Sequence, residues 1–366
     1  MSIAADVVSR SWTAVRADFP YANECVYLNT AAAGLSWTGQ GAAAARFYDD
    51  AKQRGYNGMD RWREALTTAR MRLAPLLGVT EGEVRFVGST TEALNLVTSA
   101  IRWRGGDEIV LAADEFPSVV FACEQAERRD VTVRRVRVAS EEDRTSAVVD
   151  AVTPATRLVA VSHVHWATGT RVDLDRVAAA CRAHDALLMV DGVQMLGAAP
   201  VDAGGVDFYC ASVFKWLLSG FGLGILVVRD RVRGQLHPLF RGYNNPEPST
   251  DLQASHVNYR GLQALSATLE YLDAQVGWRR VFERVATHTE HLLDALGKGG
   301  LTVVTPRASR AGIVSFMADD AGHVRDALAR DGIFVEAREG LVRVAPHFYN
   351  TAEDVDAFIG AVARVL

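Results

Sequence analysis

Two residues 24 positions apart in this 366-residue chain, Asp191 and Lys215, are of types that do chemistry together. Lys215 stands in apolar company, Val213-Phe214-Lys215-Trp216-Leu217, between a strand-like run at 206–212 and a glycine-rich turn, Gly220-Phe-Gly-Leu-Gly224. Desolvation favours the neutral amine, and a neutral amine attacks carbonyls, so this setting suits a lysine that forms a Schiff base. Asp191 closes another apolar run, Ala186-Leu-Leu-Met-Val-Asp191. If the two strands are neighbours, a carboxylate and an amine project from adjacent strand ends. Pyridoxal 5'-phosphate needs such a pair, a lysine for its aldehyde and an acid to keep its ring nitrogen protonated. A surface lysine and a strand-end aspartate that never meet would read the same way, so other residues must decide.

The elements around the pair follow one pattern. From residue 83 the chain alternates strand-like runs (84–87, 109–112, 131–138, 158–162 and 186–191) with helical ones (91–101, 118–128, a helix ending near 152, and 173–184). Such alternation predicts an α/β fold with a mostly parallel sheet, helices on both faces and ligands beyond the carboxyl ends of the strands. Ahead of it, 41–50 and 60–77 read as helices, the second with Trp62, Leu66, Ala69, Leu73 and Leu76 at three- and four-residue spacing. Beyond Val228 a polar, Pro-containing stretch at 241–249 precedes long helices from 261 and 277. Strands near 301–304, 312–316 and 341–344 and helices at 323–330 and 352–365 then make a smaller α+β domain. The expected division is a cofactor-binding large domain at 15–255 and a small domain from 1–14 with 256–366.

Composition narrows the partners. Hydrophobic content of 49%, 23% charged residues and a net charge of −5 are those of a globular protein, and no basic tract exceeds a pair of arginines. Nucleic acid and anionic membrane are therefore not expected partners. The start of the chain lacks a basic segment followed by an apolar run, and the longest apolar stretch, 217–228, is interrupted by three glycines and a serine. Cys25, Cys123, Cys181 and Cys210 form no CxxC pair, which fits reduced thiols in a cytoplasmic protein and argues against a structural zinc; no metal is expected.

Further motifs carry a resemblance. Asp191-Gly-Val-Gln194, Asp207-Phe-Tyr, Ser212-Val-Phe-Lys215 and the turn to Gly224 resemble the signature of class V aminotransferases. This is the pyridoxal-phosphate fold type I group of cysteine desulfurases, isopenicillin N epimerase-like proteins and related C–S lyases. Tyr27-Leu-Asn-Thr-Ala-Ala, Ser89-Thr-Thr-Glu-Ala-Leu-Asn95, Glu115-Phe-Pro-Ser118, Ser162-His-Val-His-Trp-Ala-Thr-Gly169 and Arg343-Val-Ala-Pro-His-Phe-Tyr-Asn350 follow in the family's order. The resemblance implies a PLP-dependent transferase fold of type I, a seven-stranded large-domain sheet, and a homodimer whose sites are completed by the partner subunit through 54–58 and the segment around His256.

It also implies roles. Thr90, Thr91 and Ser212 match phosphate ligands, and Ser89-Thr90-Thr91 opening a helix supplies backbone N–H groups as well as hydroxyls; a plain helix cap is the alternative. Phe116 would stack on the cofactor ring, as in the epimerase-like branch, and Gln194 would hydrogen-bond its phenolic oxygen. Arg343 would take the substrate carboxylate, its planar fork matching that group. Tyr27 and Asn29 would reach over the site. Acid–base work would fall on Lys215, aided by His165 or Tyr27. If the strand continues past Ser162, His163 and His165 point to opposite faces, one to the site and one to the core.

Four departures stand out. Phe214 occupies the place of the histidine that precedes the lysine in desulfurases, and Ser255-His256 replaces a Gly-Thr pair, leaving His256 as an intersubunit phosphate donor. Trp166 aligns with a desulfurase asparagine. The stretch 330–343, where desulfurases carry the cysteine that takes up sulfur, has none. A persulfide-forming desulfurase is therefore rejected, and a C–S β-lyase on a cysteine conjugate is expected, with a class V aminotransferase or epimerase as the alternative. A protein that kept the fold and lost the cofactor is the alternative of another class.

Overall fold

A computed structural model describes residues 10–366, so residues 1–9 of the expected N-terminal arm lie outside the described part. Its strands are β1 (Val26–Tyr27), β2 (Val84–Val87), β3 (Glu108–Ala112), β4 (Thr132–Val136), β5 (Thr156–Ser162), β6 (Leu187–Asp191), β7 (Phe208–Ser212), β8 (Gly224–Val228), β9 (Val314–Met317), β10 (Ile333–Phe334), β11 (Glu336–Arg338) and β12 (Leu341–Val344). Seven of them form one sheet in the order β2-β8-β7-β6-β5-β3-β4, in which β8 alone runs antiparallel to its neighbours. This is the mostly parallel sheet of the α/β fold expected from the alternation, with the seven strands that the resemblance implies.

Every residue of β6, β7 and β8 is buried, as in a sheet covered on both faces. The two-residue period divides them: Leu188, Val190, Tyr209 and Ala211 enter one apolar cluster, while Leu187, Met189, Phe208 and Cys210 enter another. These two cores clamp the strands whose carboxyl ends carry the polar residues of interest. Ser162 and Asp191 are register partners at the ends of β5 and β6.

The C-terminal part has its own sheet, β11-β12-β9, fully antiparallel, and a third core shared with helices Trp278–Lys298, Ala321–Arg330 and Ala352–Val365. The strand expected at 301–304 is reduced to one bridge, Val303 with Phe316. Two stretches pack across the expected division at residue 255. Helix Tyr259–Tyr271 buries Leu262, Leu265 and Leu269 in the large-domain core. Val26 and Leu28 N–H donate to the Gly332 and Phe334 carbonyls, and Leu28 joins the small-domain core. No helix among the described residues is long and apolar enough to cross a membrane.

Candidate active site

A narrow cleft opens beyond the carboxyl ends of β5, β6 and β7, lined by Phe116, Ser162, Val164, Trp166, Asp191, Val193, Gln194 and Lys215. The sequence pair thus does meet, because β6 and β7 are adjacent and parallel. Lys215 follows β7 on a turn in which Leu218 N–H donates to the Lys215 carbonyl and Leu218 takes a left-handed φ of 54°. The segment after Asn29 presses onto this turn: Gly34 N–H donates to the Phe214 carbonyl, and a Cβ on Gly34 would fall 2.2 Å from the Lys215 carbonyl oxygen. No side chain fits there.

Lys215 is half-buried, with Nζ 6.0 Å from the centre of the Phe116 ring and 5.7 Å from that of Phe214. It forms no ion pair among the described residues, and burial pulls its pKa down to about 8, against the pull of Asp191 and helped by Arg343 and Arg338. Asp191 is buried, with Oδ1 accepting Val193 N–H at 3.0 Å and the second oxygen free of protein donors. Burial raises its pKa to about 6, while Val193 N–H and Lys215 oppose the shift. Both groups are held in the charge state they resist, which is the electrostatic profile of groups kept for chemistry.

Gln194 is buried and engaged: Trp216 Nε1 donates to its Oε1 at 2.9 Å, and its Nε2 donates to the Ala31 carbonyl at 3.0 Å. Phe116 stays 37% exposed and meets Trp166 edge-on at 5.7 Å, leaving a ring face toward Lys215. Arg343 is buried on β12, where Nη1 donates to the Trp166 carbonyl at 2.7 Å and Nε has no partner. Burial lowers its pKa to about 10, opposed by Glu336. A buried guanidinium without a carboxylate at bonding distance is costly unless an anion arrives.

At the other end, helix Thr90–Ala100 starts beside β7. Ser89 caps it by accepting Glu92 N–H, and Ser212 Oγ accepts Thr90 N–H at 2.8 Å and pairs with Thr90 Oγ1 at 2.8 Å. Thr91 Oγ1 meets Ser118 Oγ at 2.9 Å. A Cβ on Gly224 would lie 2.9 Å from the Ser89 backbone, so this close approach of strand and helix start needs glycine. Ser89 thus caps the helix, and the hydroxyls of Thr90, Thr91 and Ser212 gather at its start.

The structure separates other expected residues from the cleft. His165 is buried; its Nδ1 accepts Thr168 N–H at 3.2 Å and its Nε2 lies 3.0 Å from the Asp114 carbonyl, so Nε2 carries the hydrogen and both nitrogens are spent. Burial, with the nearby Arg144 charge, depresses its pKa. β5 ends at Ser162, the alternation of faces ends with it, and Trp166, not the expected His165, lines the cleft. His163 is buried against Tyr209, Nδ1 to hydroxyl 3.1 Å. Asp114, Glu141 and His165 bring possible ligand atoms within 4.8 Å, but Arg144 sits on both carboxylates, at 2.5 Å from Asp114 and 2.7 Å from Glu141, where a cation would bind.

Tyr27 donates its hydroxyl to the Ala33 carbonyl at 2.7 Å, and burial lifts its pKa to about 12. Asn29 Oδ1 is buried without a partner. His256 lies outside the cleft, exposed against the Tyr243 ring, and borders a broader hollow with Gly88, Glu92 and Gly222. Sequence reading missed Ser162, Val164 and Val193 as lining residues; the position of Ser162 at a strand end beside Asp191 was the available signal.

The residues fit pyridoxal 5'-phosphate: an unpaired lysine for the aldehyde, a half-free buried carboxylate for the ring nitrogen, an aromatic face, and hydroxyls at a helix start. Comparison with known proteins agrees. The family model "Aminotransferase class-V" matches residues 26–358. A probable cysteine desulfurase of Methanothermobacter thermautotrophicus is 27% identical, over 93% of this chain and 94% of that one. The isopenicillin N epimerase of Amycolatopsis lactamdurans is 30% identical, over 82% of this chain and 85% of its own length. Among solved structures, the cystine C–S lyase C-DES, in complex with its product cysteine persulfide, superposes with a TM-score of 0.87 at 23% identity, over 94% and 99% of the two chains. With the cleft and these matches together, the chain belongs to the class V aminotransferase family and is a pyridoxal 5'-phosphate-dependent enzyme.

Proposed function

We propose that the enzyme is a C–S β-lyase acting on a cysteine conjugate, with Lys215 and Asp191 as catalytic residues. Thr90, Thr91, Ser212, Phe116 and Gln194 are proposed to hold the cofactor, and Arg343 and Asn29 the substrate. The observation that carries this reading lies in the stretch 331–344. Where the desulfurases carry their sulfur-accepting cysteine, this chain makes a tight hairpin, β11–β12, turning on Glu339 and Gly340 at φ 50° and 77°, without a cysteine. Cys123, Cys181 and Cys210 are buried elsewhere, and Cys25 donates to the Tyr21 carbonyl. With no thiolate at the cleft to take up sulfur, the sulfur leaves as a thiol.

Bound pyridoxal 5'-phosphate supplies an aldehyde that condenses with amines and a protonated ring that accepts the electron pair left at the substrate's Cα. Lys215 is the one amine lining the cleft among the described residues, so it would hold the cofactor's aldehyde and its Nζ would move the proton at Cα; a pKa of about 8 leaves a working share neutral near pH 7.5. Asp191 keeps a negative oxygen facing the cleft. Phe116 covers one side and holds water off it. Arg343 receives the α-carboxylate with Nε and the remainder of its fork, while its bond to the Trp166 carbonyl fixes the plane. The balance is one conjugate and one water to thiol, pyruvate and ammonium.

Epimerisation is the second reading, favoured by the 30% identity to isopenicillin N epimerase. It would have to run on Lys215 alone, because His165 and the Tyr27 hydroxyl are committed elsewhere. The same family reading has two chains completing each other's sites, with His256 at the partner's phosphate and the loop 54–58 at the interface near the partner's site. The test is a spectrum of the purified protein, then cysteine, cystine and cysteine S-conjugates with pyruvate, thiol and ammonia assayed together and Lys215→Ala as control. Yellow protein releasing thiol with pyruvate supports the lyase. Inversion at Cα without thiol, or keto acid without thiol, sinks it.

A further inference from the structure

We propose that Trp216, the residue after Lys215, is a positioning residue whose indole N–H locks the Gln194 amide so that a hydrogen-bond donor, and not an acceptor, faces the cleft. The inference rests on the reading of this cleft as the cofactor site and deepens it.

An indole N–H can only donate, so the 2.9 Å contact from Trp216 Nε1 selects the oxygen of the Gln194 amide. The amide nitrogen is thereby turned the other way, where it donates to the Ala31 carbonyl at 3.0 Å. That nitrogen carries two hydrogens and one remains, on a side chain that lines the cleft with Asp191 and Lys215. Rotating the amide by half a turn would set N–H against N–H at Trp216 and oxygen against oxygen at Ala31. In a buried place both mismatches are expensive, so one orientation survives.

Trp216 is itself immobilised. It is fully buried. A Cβ on Gly312 would fall 2.2 Å from its ring and one on Gly197 would fall 2.5 Å from its carbonyl, so the chain yields space to it on two sides. His347 Nδ1 accepts Phe348 N–H at 2.8 Å, which puts the histidine hydrogen on Nε2, and Nε2 meets the Trp216 carbonyl at 3.0 Å. Burial brings the His347 pKa down to about 4, so this neutral tautomer persists through the working range. His347 thus holds the Trp216 backbone, and the indole N–H fixes the amide in the cleft. A donor there stabilises the cofactor's phenolic oxygen in its anionic form; an acceptor would repel it.

The experiment reads the pH at which the absorption band of the bound cofactor titrates, together with the cofactor's dissociation constant, in holoenzyme carrying Trp216→Phe, Gln194→Ala or both. Trp216→Phe keeps an aromatic ring and removes the N–H. Loss of the donor in Gln194→Ala is expected to raise the titration midpoint by about one pH unit. Trp216→Phe should move it the same way, and the double variant should move no further than Gln194→Ala. A Trp216→Phe protein that titrates like the wild type, or shifts that add in the double variant, would overturn the proposal. Should Trp216→Phe fail to fold by circular dichroism, Gln194→Glu keeps the acceptor for the indole and loses the donor. It should also titrate higher, and a wild-type midpoint would overturn the proposal equally. A wild-type protein that develops no band would instead refute the cofactor reading, and the proposal with it.

Discussion

Asp191→Asn in the cofactor-free protein should raise stability, by an amount that depends on pH in a calculable way. Burial lifts the Asp191 pKa from 3.8 to about 6 in the folded chain. The fold therefore penalises the ionised form: this group's contribution to stability is full below pH 3.8 and is lost as pH rises through 6. Two pKa units or slightly more, at 1.36 kcal/mol each, make a cost of about 3 kcal/mol at pH 8, and the partly protonated state at pH 5 carries about half of it. The attraction to Lys215 is already inside that figure. Asparagine keeps an oxygen for Val193 N–H and nearly the same volume, and it has no charge to desolvate. Urea unfolding of the stripped variant and wild type at pH 8 and pH 5 measures both gains. A gain independent of pH, or a less stable variant at pH 8, would refute the view that Asp191 is held ionised against its surroundings. The same substitution should weaken retention of the cofactor, so that stability and function change in opposite senses.

The remaining expectations are shorter. The chain has only three lysines, Lys52, Lys215 and Lys298, so amine labelling followed by peptide mapping can assign each; in the stripped protein Lys215 should label with a midpoint near pH 8, and a midpoint above 10 would remove its activated character. Arg343→Gln should raise KM by roughly 10- to 100-fold with the cofactor band unchanged, the worth of a charge-assisted bond of about 1.5–3 kcal/mol; an unchanged KM would place the carboxylate elsewhere. Phe116→Ala should weaken cofactor affinity by roughly 2- to 10-fold, from an aromatic contact of about 0.5–1.5 kcal/mol. His165→Ala should lower stability by about 1–3 kcal/mol, from its buried hydrogen bonds, while turnover per loaded site holds; a collapse of turnover in folded, loaded protein would restore His165 to the chemistry.

Asp191 and Lys215 were legible in the sequence because a charged residue at the end of an apolar strand is an anomaly that local sequence displays. The parallel sheet was legible because strand and helix periods alternate over a hundred residues. From these two facts the place of the cleft follows, since parallel strands present their carboxyl ends together. What the sequence could not decide was which polar atoms are left over. His163, His165 and Trp166 lie within four residues, and the choice among them was made by where β5 stops and by the Asp114 carbonyl and the Thr168 N–H that claim the His165 nitrogens. The Tyr27 hydroxyl is claimed by one carbonyl, at Ala33. Gln194 acquired its orientation from Trp216 and Ala31, which are 22 and 163 residues away along the chain. Hydrogen-bond partners are a property of packing in three dimensions and carry no period along the chain, so type and spacing marked the pair Asp191 and Lys215, and only tertiary structure decided which polar neighbours beside it remain free.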